Sequence, residues 1–168
     1  GDHAAMLISL IRMSPTPVTL NVRGSASLEV PPDYAAVSLS ADATRATRES
    51  ALEVVQSTVF ELRQALEDRP DVRAVSLSRI RVQEATEYDR DLQTRVHTGW
   101  TATVTGKVLI DTDHVAVVVA RVAATAGEIG YLSWYLDDDN EAYRQVRVDA
   151  VADAFRAAGD FAGALNRQ

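Results

Sequence analysis

The sequence contains no cysteine. This absence excludes disulfide bonds, thiolate nucleophiles, iron–sulfur clusters and zinc sites with cysteine ligands. Histidine is scarce as well, because His3, His97 and His114 are the only three and no two of them are spaced i, i+4 as in a helical zinc site. The sequence therefore predicts neither a bound metal nor a cysteine-dependent reaction.

Basic residues are fewer than acidic ones. Seventeen Lys and Arg stand against 24 Asp and Glu, which gives a formal net charge of −7 at pH 7. A general nucleic-acid-binding protein needs a basic surface that displaces phosphate counterions, so nucleic acid is not an expected partner. The candidates for a local basic patch are Arg45 with Arg48 and Arg79 with Arg81, and we interpret them as solvated surface side chains.

A long hydrophobic run is also missing. The run at Met6–Ile11 is too short to span a membrane and lacks a small-residue cleavage site, so neither a membrane span nor a signal peptide is predicted. This favours a cytoplasmic location for the chain as it stands, with an exported protein whose leader has been removed as the alternative. We expect residues 1–17 to be a tag, or a disordered or extended N-terminus, and residues 18–168 to form one domain.

The eight glycines are dispersed and form none of the glycine-rich motifs of nucleotide-binding loops or nucleophile elbows. The densest carboxylate group, Asp137–Asp139, is interpreted as the acidic first turn of a helix rather than a calcium site. His97 with Glu84 or Glu87 is placed at a solvated hairpin tip, whereas acid–base catalysis usually requires burial. We expect no enzymatic activity and no cofactor. The alternatives are a domain that binds a divalent metal or small molecule, using the acidic loop or a pocket, and an unrecognised enzyme that uses His97.

Hydrophobic periodicity predicts the secondary structure. Alternation with period two predicts strands over residues 18–30, 34–44, 72–88, 95–110 and 129–136. Gly24 is expected to be a bulge or bend in the first of these strands, and a slip is expected between Leu77 and Ile80. The second strand is expected to pair antiparallel with the first.

Steps of three and four predict helices over residues 48–68 and 112–126 and a long C-terminal helix with apolar positions from Tyr143 to Leu165. The expected caps are Thr47 or Arg48 for the first, Asp111 or Asp113 with a terminal Gly127 for the second, and residues 137–140 for the third. From residue 34 the order is βαββαβ, the ferredoxin-like arrangement. We therefore predict an α+β two-layer sandwich, with a mainly antiparallel sheet, an extra N-terminal strand and a long C-terminal helix.

Aromatic residues crowd one predicted strand, where Tyr131, Trp134 and Tyr135 lie close together in sequence. Tyr88 and Trp100 lie near the central hairpin. Core packing is one interpretation of these residues. The other is a contact with a second subunit or a protein partner, because Trp and Tyr are enriched at interfaces and both faces of strand 129–136 are apolar or aromatic. These five residues are our predicted interface.

Four segments, in the same order as in the family, resemble the bacterial SIMPL-domain family. The first resembles its V-x-G-x-G opening before V-P-P-D, with Ala26 at the second glycine, and the others are similar to its G-Y-x-A strand, its L-S-D-x-x-x-A-Y helix entry and its A-V-A-D-A core. The segments are Val22–Asp33, Gly99–Ala102, Leu136–Tyr143 and Asp149–Ala154.

The resemblance implies an α+β domain with no established enzymatic activity. Several bacterial members are exported to the periplasm or cell envelope, some form large ring- or channel-like homo-oligomers, and some are linked to oxidative-stress defence. It carries over no catalytic residues, and Gly24 and Pro31–Asp33 are implied to shape the backbone. Relatives usually continue past the long helix into further strands, so we expect either that C-terminal strands are missing here or that the protein is a shortened member of the family. The implied role is self-association or partner binding, related to stress or the envelope.

Overall fold

The computed structural model describes residues 4–10 and 18–166. What the sequence predicts for residues 1–3, 11–17 and 167–168 lies outside the described residues. The elements, in chain order, are β1 (Ala4–Leu10), β2 (Val18–Gly24), β3 (Tyr34–Arg45), α1 (Arg48–Leu66), β4 (Val72–Leu77), β5 (Arg81–Asp89), β6 (Thr94–Asp111), a 3-10 turn (Thr112–His114), α2 (Val115–Ala123), β7 (Glu128–Tyr135) and α3 (Glu141–Leu165). The predicted α+β class and the long C-terminal helix are confirmed.

The described residues form two compact units. The larger unit is Pro32–Leu136, and the smaller one combines the residues up to Pro31 with those from Asp137 onward. The division of the chain into an N-terminal segment 1–17 and one domain 18–168 stays a prediction.

The sheet of the larger unit has the strand order β4-β6-β3-β7, and β5 pairs with β6 beside β4. All of its pairs are antiparallel. The 18-residue β6 pairs with β3 along one edge, while β5 and β4 follow each other along its other edge. Two parallel strands, β3 and β4, thus lie on either side of antiparallel β6, which is the split βαβ arrangement that the sequence predicts.

Three strand predictions need correction. The pairing of the first predicted strand with the second is wrong, because both edges of β3 are occupied by β6 and β7 while β2 pairs with β1. The strand predicted over 18–30 ends at Gly24, and beyond it the Ser25 N–H donates to the Asp153 carboxylate instead of to a ladder (3.0 Å). The strand predicted over 72–88 is two strands, β4 and β5, interrupted between Leu77 and Arg81, where the slip is predicted.

Side-chain oxygens cap two of the helices. Thr47 accepts a hydrogen bond from the Ser50 N–H at the start of α1 (3.2 Å), and Asn140 accepts one from the Ala142 N–H at the start of α3 (2.9 Å). Each oxygen satisfies a backbone donor that has no intrahelical acceptor.

The predicted caps of α2 are wrong. Asp111 precedes the 3-10 turn without capping it, because its carboxylate forms an ion pair with Arg73, and Asp113 lies within the turn. The helix ends at Ala123 rather than at Gly127, whose N–H donates to the Thr125 hydroxyl (3.2 Å).

Helices α1 and α2 pack on one face of the sheet, over two clusters of buried side chains. The first cluster joins both helices to β3 and β6, and the second joins α1 to the other ends of these strands. Their buried members are Val37, Leu39, Leu62, Leu66, Val108, Ile110, Val118 and Val122 in the first, and Ala41, Ala43, Ala51, Val55, Ala102 and Val104 in the second. The opposite face, here called the polar face, carries Ser38, Ser40, Asp42, Thr101, Thr103 and Thr105.

In the smaller unit, β1 pairs antiparallel with β2 from Ala4 opposite Gly24 to Leu10 opposite Val18. Helix α3 packs on β2 through small residues, and its Ala154 and Ala158 are buried with Val22. Alanines on the helix let the strand and the helix approach closely.

Candidate functional site

The most exposed aromatic cluster of the larger unit lies on β7, the last strand of the sheet. Tyr131 is 78% exposed and Trp134 is 50% exposed, and Leu132 and Tyr135 are exposed as well. These four residues are called the β7 surface below. Among the described residues, β7 pairs with β3 alone, so one edge of the strand has no strand neighbour.

The register of β7 on β3 sends these side chains to both faces of the sheet. Trp134 lies opposite Ala35 on the helix-bearing face, and Tyr135 lies opposite Tyr34 on the polar face. The register shifts between Val37 and Leu39, and there the Tyr131 N–H donates to the Ser38 hydroxyl (2.9 Å). Apolar side chains therefore occur on both faces, as the sequence indicates, and they are exposed rather than part of the two buried clusters.

Most of strand β7 lacks the usual protection of a sheet edge. Edge strands commonly carry lysine, proline or inward-pointing charges that prevent pairing with other chains. From Ile129 to Leu136 the sequence has no charged residue and no proline. The devices that this strand does show are the charge of Glu128 at its first residue and the irregularity opposite Ser38.

The other two predicted interface residues lie elsewhere. Tyr88 is exposed near the tip of the β5–β6 hairpin. Trp100 is half-buried against the second cluster, with the His97 ring edge-on to it at 5.7 Å and the Arg48 guanidinium 5.7 Å from its centroid. Its environment is that of a residue at the margin of the core.

The five predicted residues do not form one surface. Strand β3 separates the β5–β6 hairpin from β7, and the two groups lie at opposite ends of β3, because Trp100 is opposite Arg45 while Tyr135 is opposite Tyr34. An interface role for either group stays a prediction.

The residues considered for catalysis or metal binding are not gathered into a site. His97, Glu84 and Glu87 are exposed along the hairpin and line neither of the concavities described below. Within residues 4–10 and 18–166, no three His, Asp or Glu side chains converge in a way that could hold a metal ion. In the acidic segment Asp137–Asp139, the Asp137 carbonyl accepts the Asn140 N–H (2.9 Å).

Sequence reasoning missed a row of side chains across one end of the polar face. Arg73 pairs with Asp111, and its Cζ atom lies 4.8 Å from the centroid of the Tyr34 ring. Tyr34 in turn stacks on Tyr135, with 5.4 Å between centroids and 18° between planes. The row links β4, β6, β3 and β7, and only strand order and register bring its members together.

A half-buried ion pair joins α2 to the segment before β4. The two guanidinium nitrogens of Arg121 donate to the two carboxylate oxygens of Asp71, at 2.8 and 3.2 Å. These hydrogen bonds lower the pKa of Asp71 and raise the pKa of Arg121, because they favour the charged form of each group. Neither residue lines a concavity described here.

Surface concavities occur in both units. The larger unit has one of about 520 Å³, lined by Ser78, Arg79, Ile80, Arg81, Gln83, Thr103 and Thr105. The smaller unit has one of about 500 Å³, lined by Ser25, Ala26, Ser27, Asp149, Ala152 and Arg156. The predicted interface residues line neither of them.

Comparison with known protein families finds a match that covers most of the chain. Residues 20–168 match the family model SIMPL, described as a protein of unknown function (DUF541). This chain belongs to the SIMPL family. A search of curated proteins finds no match to it. The match to the family model confirms the resemblance noted in the sequence.

The SIMPL family is described as having no known function, so membership supplies no catalytic residues. The structure explains why glycine occupies two positions in the SIMPL-like segments. Gly24 ends β2 against α3, and Gly99 has a φ of 152° beside the Arg45 carbonyl. In the described part of this SIMPL chain, no helix combines the length and the apolar character needed to cross a bilayer.

Proposed function

We propose that this SIMPL chain acts by self-association, without enzymatic activity, and that β7 of one copy pairs with β7 of a second copy. The observation that carries the proposal is the β7 surface: exposed aromatic side chains on a strand that has one edge unpaired among the described residues and carries no charge from Ile129 to its end. Adding a strand to such an edge satisfies free backbone donors and acceptors, and the side chains supply apolar contact.

A second copy of the same strand suits this edge better than an arbitrary partner. Antiparallel pairing of identical strands about a two-fold axis is an isologous contact, in which each residue type meets a defined mate. A chain with a net charge of −7 repels its own copies, so the contact should avoid acidic residues. With the axis at Leu132, Glu128 faces Leu136 and lies about 27 Å from its own mate, at about 3.4 Å per residue.

Absolute mass by light scattering on a size-exclusion column, over a concentration series, tests the proposal. We expect a mass of at least twice the 18.2 kDa of one chain. Trp134→Ala should raise the dissociation constant about 30-fold, the equivalent of the roughly 2 kcal/mol typical of an interface hot spot. Leu132→Lys, which puts a charge on the edge, should produce monomers.

The matched control is Phe60→Ala, because Phe60 is an aromatic residue that is 62% exposed on a different element, α1. It should leave the mass unchanged. Urea unfolding of each variant checks that the monomer still folds. A monomer at all concentrations, or equal dissociation of the Phe60 and Trp134 variants, would overturn the β7 contact between copies, and the monomer result would favour a strand from a different protein.

The same proposal includes a stress- or envelope-related role, which is supported by the family resemblance alone. Survival of cells with and without the gene under peroxide, complemented by the wild type and by the Trp134→Ala variant, tests it. Rescue by the wild type but not by the variant is the expected result. Equal survival of all the strains would remove the stress role.

A further inference from the structure

The concavity at the interruption between β4 and β5 has the chemistry of an anion site. We propose that it binds a small soluble ligand through a phosphate or carboxylate group. The proposal concerns a surface away from β7 and does not depend on self-association.

The backbone around the concavity is fixed by hydrogen bonds to β6. Strand β4 ends at Leu77 opposite Gly106, and β5 begins at Arg81 opposite Thr103. Between them, the Ser78 N–H donates to the Thr105 carbonyl (2.8 Å), and the Thr105 N–H donates to the Ser78 hydroxyl (3.0 Å). The segment that carries Arg79 is therefore anchored to the strand beneath it rather than free to detach.

The charge of the concavity opposes that of the whole chain. Its two charged lining residues are Arg79 and Arg81, and no carboxylate lines it. No ion pair, hydrogen bond or ring contact of either guanidinium occurs within residues 18–166, whereas five other arginines pair with described carboxylates. Those five are Arg63, Arg73, Arg121, Arg144 and Arg156. In a chain with seven excess negative charges, two adjacent unpaired guanidiniums form a local positive centre.

The neighbouring charges on the polar face leave this centre positive. Thr103 of β6 is opposite Arg81 on β5 and opposite Asp42 on β3. Strand β6 therefore lies between the Asp42 carboxylate and the Arg81 guanidinium. Lys107 lies two positions beyond Thr105 on the same face and adds a positive charge.

The lining groups select an oxyanion. A guanidinium presents parallel N–H donors that match two oxygens of a phosphate or carboxylate. The hydroxyl of Thr103 and the amide of Gln83 add neutral donors, while Ile80 offers a small apolar wall. A volume of about 520 Å³ lies within the range of small-molecule sites, about 300–1,000 Å³.

Titrations of the protein with inorganic phosphate and, separately, with succinate, followed by NMR of amide and arginine side-chain signals, test the site. At an ionic strength of about 0.15 M, long-range attraction is largely screened. We expect saturable shifts confined to residues 78–83 and 103–105, and the tighter of the two anions identifies the group that the site prefers. Arg79→Gln and Arg81→Gln should each weaken binding at least tenfold.

Two further variants make the test specific. Arg90→Gln removes the same charge from an exposed position in the β5–β6 turn and should leave binding unchanged. Thr103→Val removes one hydroxyl without altering charge and should weaken binding several-fold. Absence of saturation with both anions, or equal weakening by Arg90→Gln, would overturn the site. The substituted arginines are exposed, so these variants should keep their fold, which their amide spectra verify.

Discussion

The guanidinium of Arg73 lies over the ring of Tyr34, 4.8 Å from the ring centroid, and also forms an ion pair with Asp111. Because Tyr34 stacks on Tyr135, one arginine from β4 begins a chain of contacts that ends on the edge strand β7. These contacts extend from the outer strand β4 to the edge strand β7 across the two central strands.

Arg73→Gln should lower the free energy of unfolding by about 1 kcal/mol, because a partly exposed cation–π contact and a surface ion pair each contribute up to about that amount. A double-mutant cycle with Tyr34→Leu, measured by urea unfolding, isolates the ring contact. We expect a coupling energy of about 0.5–1 kcal/mol. Arg69→Gln is the control, since Arg69 donates to a backbone carbonyl and to no described ring. Zero coupling would mean that the stacking geometry adds no stability.

The Asp71–Arg121 pair should make stability depend on acid pH. The hydrogen bonds from Arg121 hold the pKa of Asp71 below its value in the unfolded chain. A carboxylate with a lowered folded pKa stabilises the fold above its unfolded pKa, about 3.9, and this contribution disappears as the pH falls through the folded pKa. The stability difference between wild type and Asp71→Asn should therefore be constant from about pH 7 to 5 and shrink below about pH 4.

Urea unfolding at a series of pH values measures that difference. Asp113→Asn serves as the control, because no ion pair of this exposed side chain occurs among the described residues. It should show no comparable trend. A difference between wild type and Asp71→Asn that persists unchanged to the lowest pH would contradict a role for the ionised carboxylate.

Gly24 and Gly159 should respond oppositely to alanine. A Cβ at Gly24 would meet the Ala150 carbonyl and come within 2.5 Å of the Ala154 nitrogen, so β2 and α3 would have to separate. We expect Gly24→Ala to lower the free energy of unfolding by about 1–3 kcal/mol or more, because the added Cβ overpacks this contact. At Gly159 of α3 nothing lies within 4 Å, so alanine should stabilise the helix by up to about 1 kcal/mol. Thermal unfolding of both variants checks the pair, and a neutral Gly24→Ala would argue against the close approach.

Gly99 combines a backbone and a packing requirement. Its φ of 152° is one that side chains rarely adopt, and a Cβ there would lie 2.5 Å from the Arg45 carbonyl oxygen. Gly99→Ala should therefore lower the free energy of unfolding by about 1–3 kcal/mol through backbone strain alone. Urea unfolding measures the cost, and Thr98→Ala, at the neighbouring position, is the control because it loses only a hydrogen bond to the Ala85 carbonyl. Equal losses in the two variants would show that the conformation of Gly99 is not the limiting factor.

Local patterns predicted the elements of this chain because the signal for each lies within a few neighbouring residues. Alternation of Thr101, Thr103 and Thr105 with buried Ala102 and Val104 is visible in sequence and reappears in β6. Contacts between distant segments were not visible in the same way. Asp111 could cap a helix or pair with an arginine, and the choice depends on the position of Arg73, 38 residues away.

The candidate site was predictable to a similar extent. The aromatic character of β7 was predictable, because Tyr131, Trp134 and Tyr135 are close in sequence. Their separation from Tyr88 and Trp100 was not, because it follows from strand order and register. The concavity with Arg79 and Arg81 depends on a three-residue interruption whose opposite wall comes from β6.

Strand β6 has a further consequence for the way the sheet opens. Its amides point alternately to β3 on one side and to β4 or β5 on the other. The Thr105 N–H points toward Ser78, so the amides of Val104 and Val108 point toward β3 and meet water only when the two central strands part. Hydrogen exchange at Val104 and Val108 should therefore report global unfolding, while the outer amides of β7 exchange early. Because β3, β4 and β5 share this one strand, and β7 is attached through β3, the larger unit should lose its sheet in a single cooperative step.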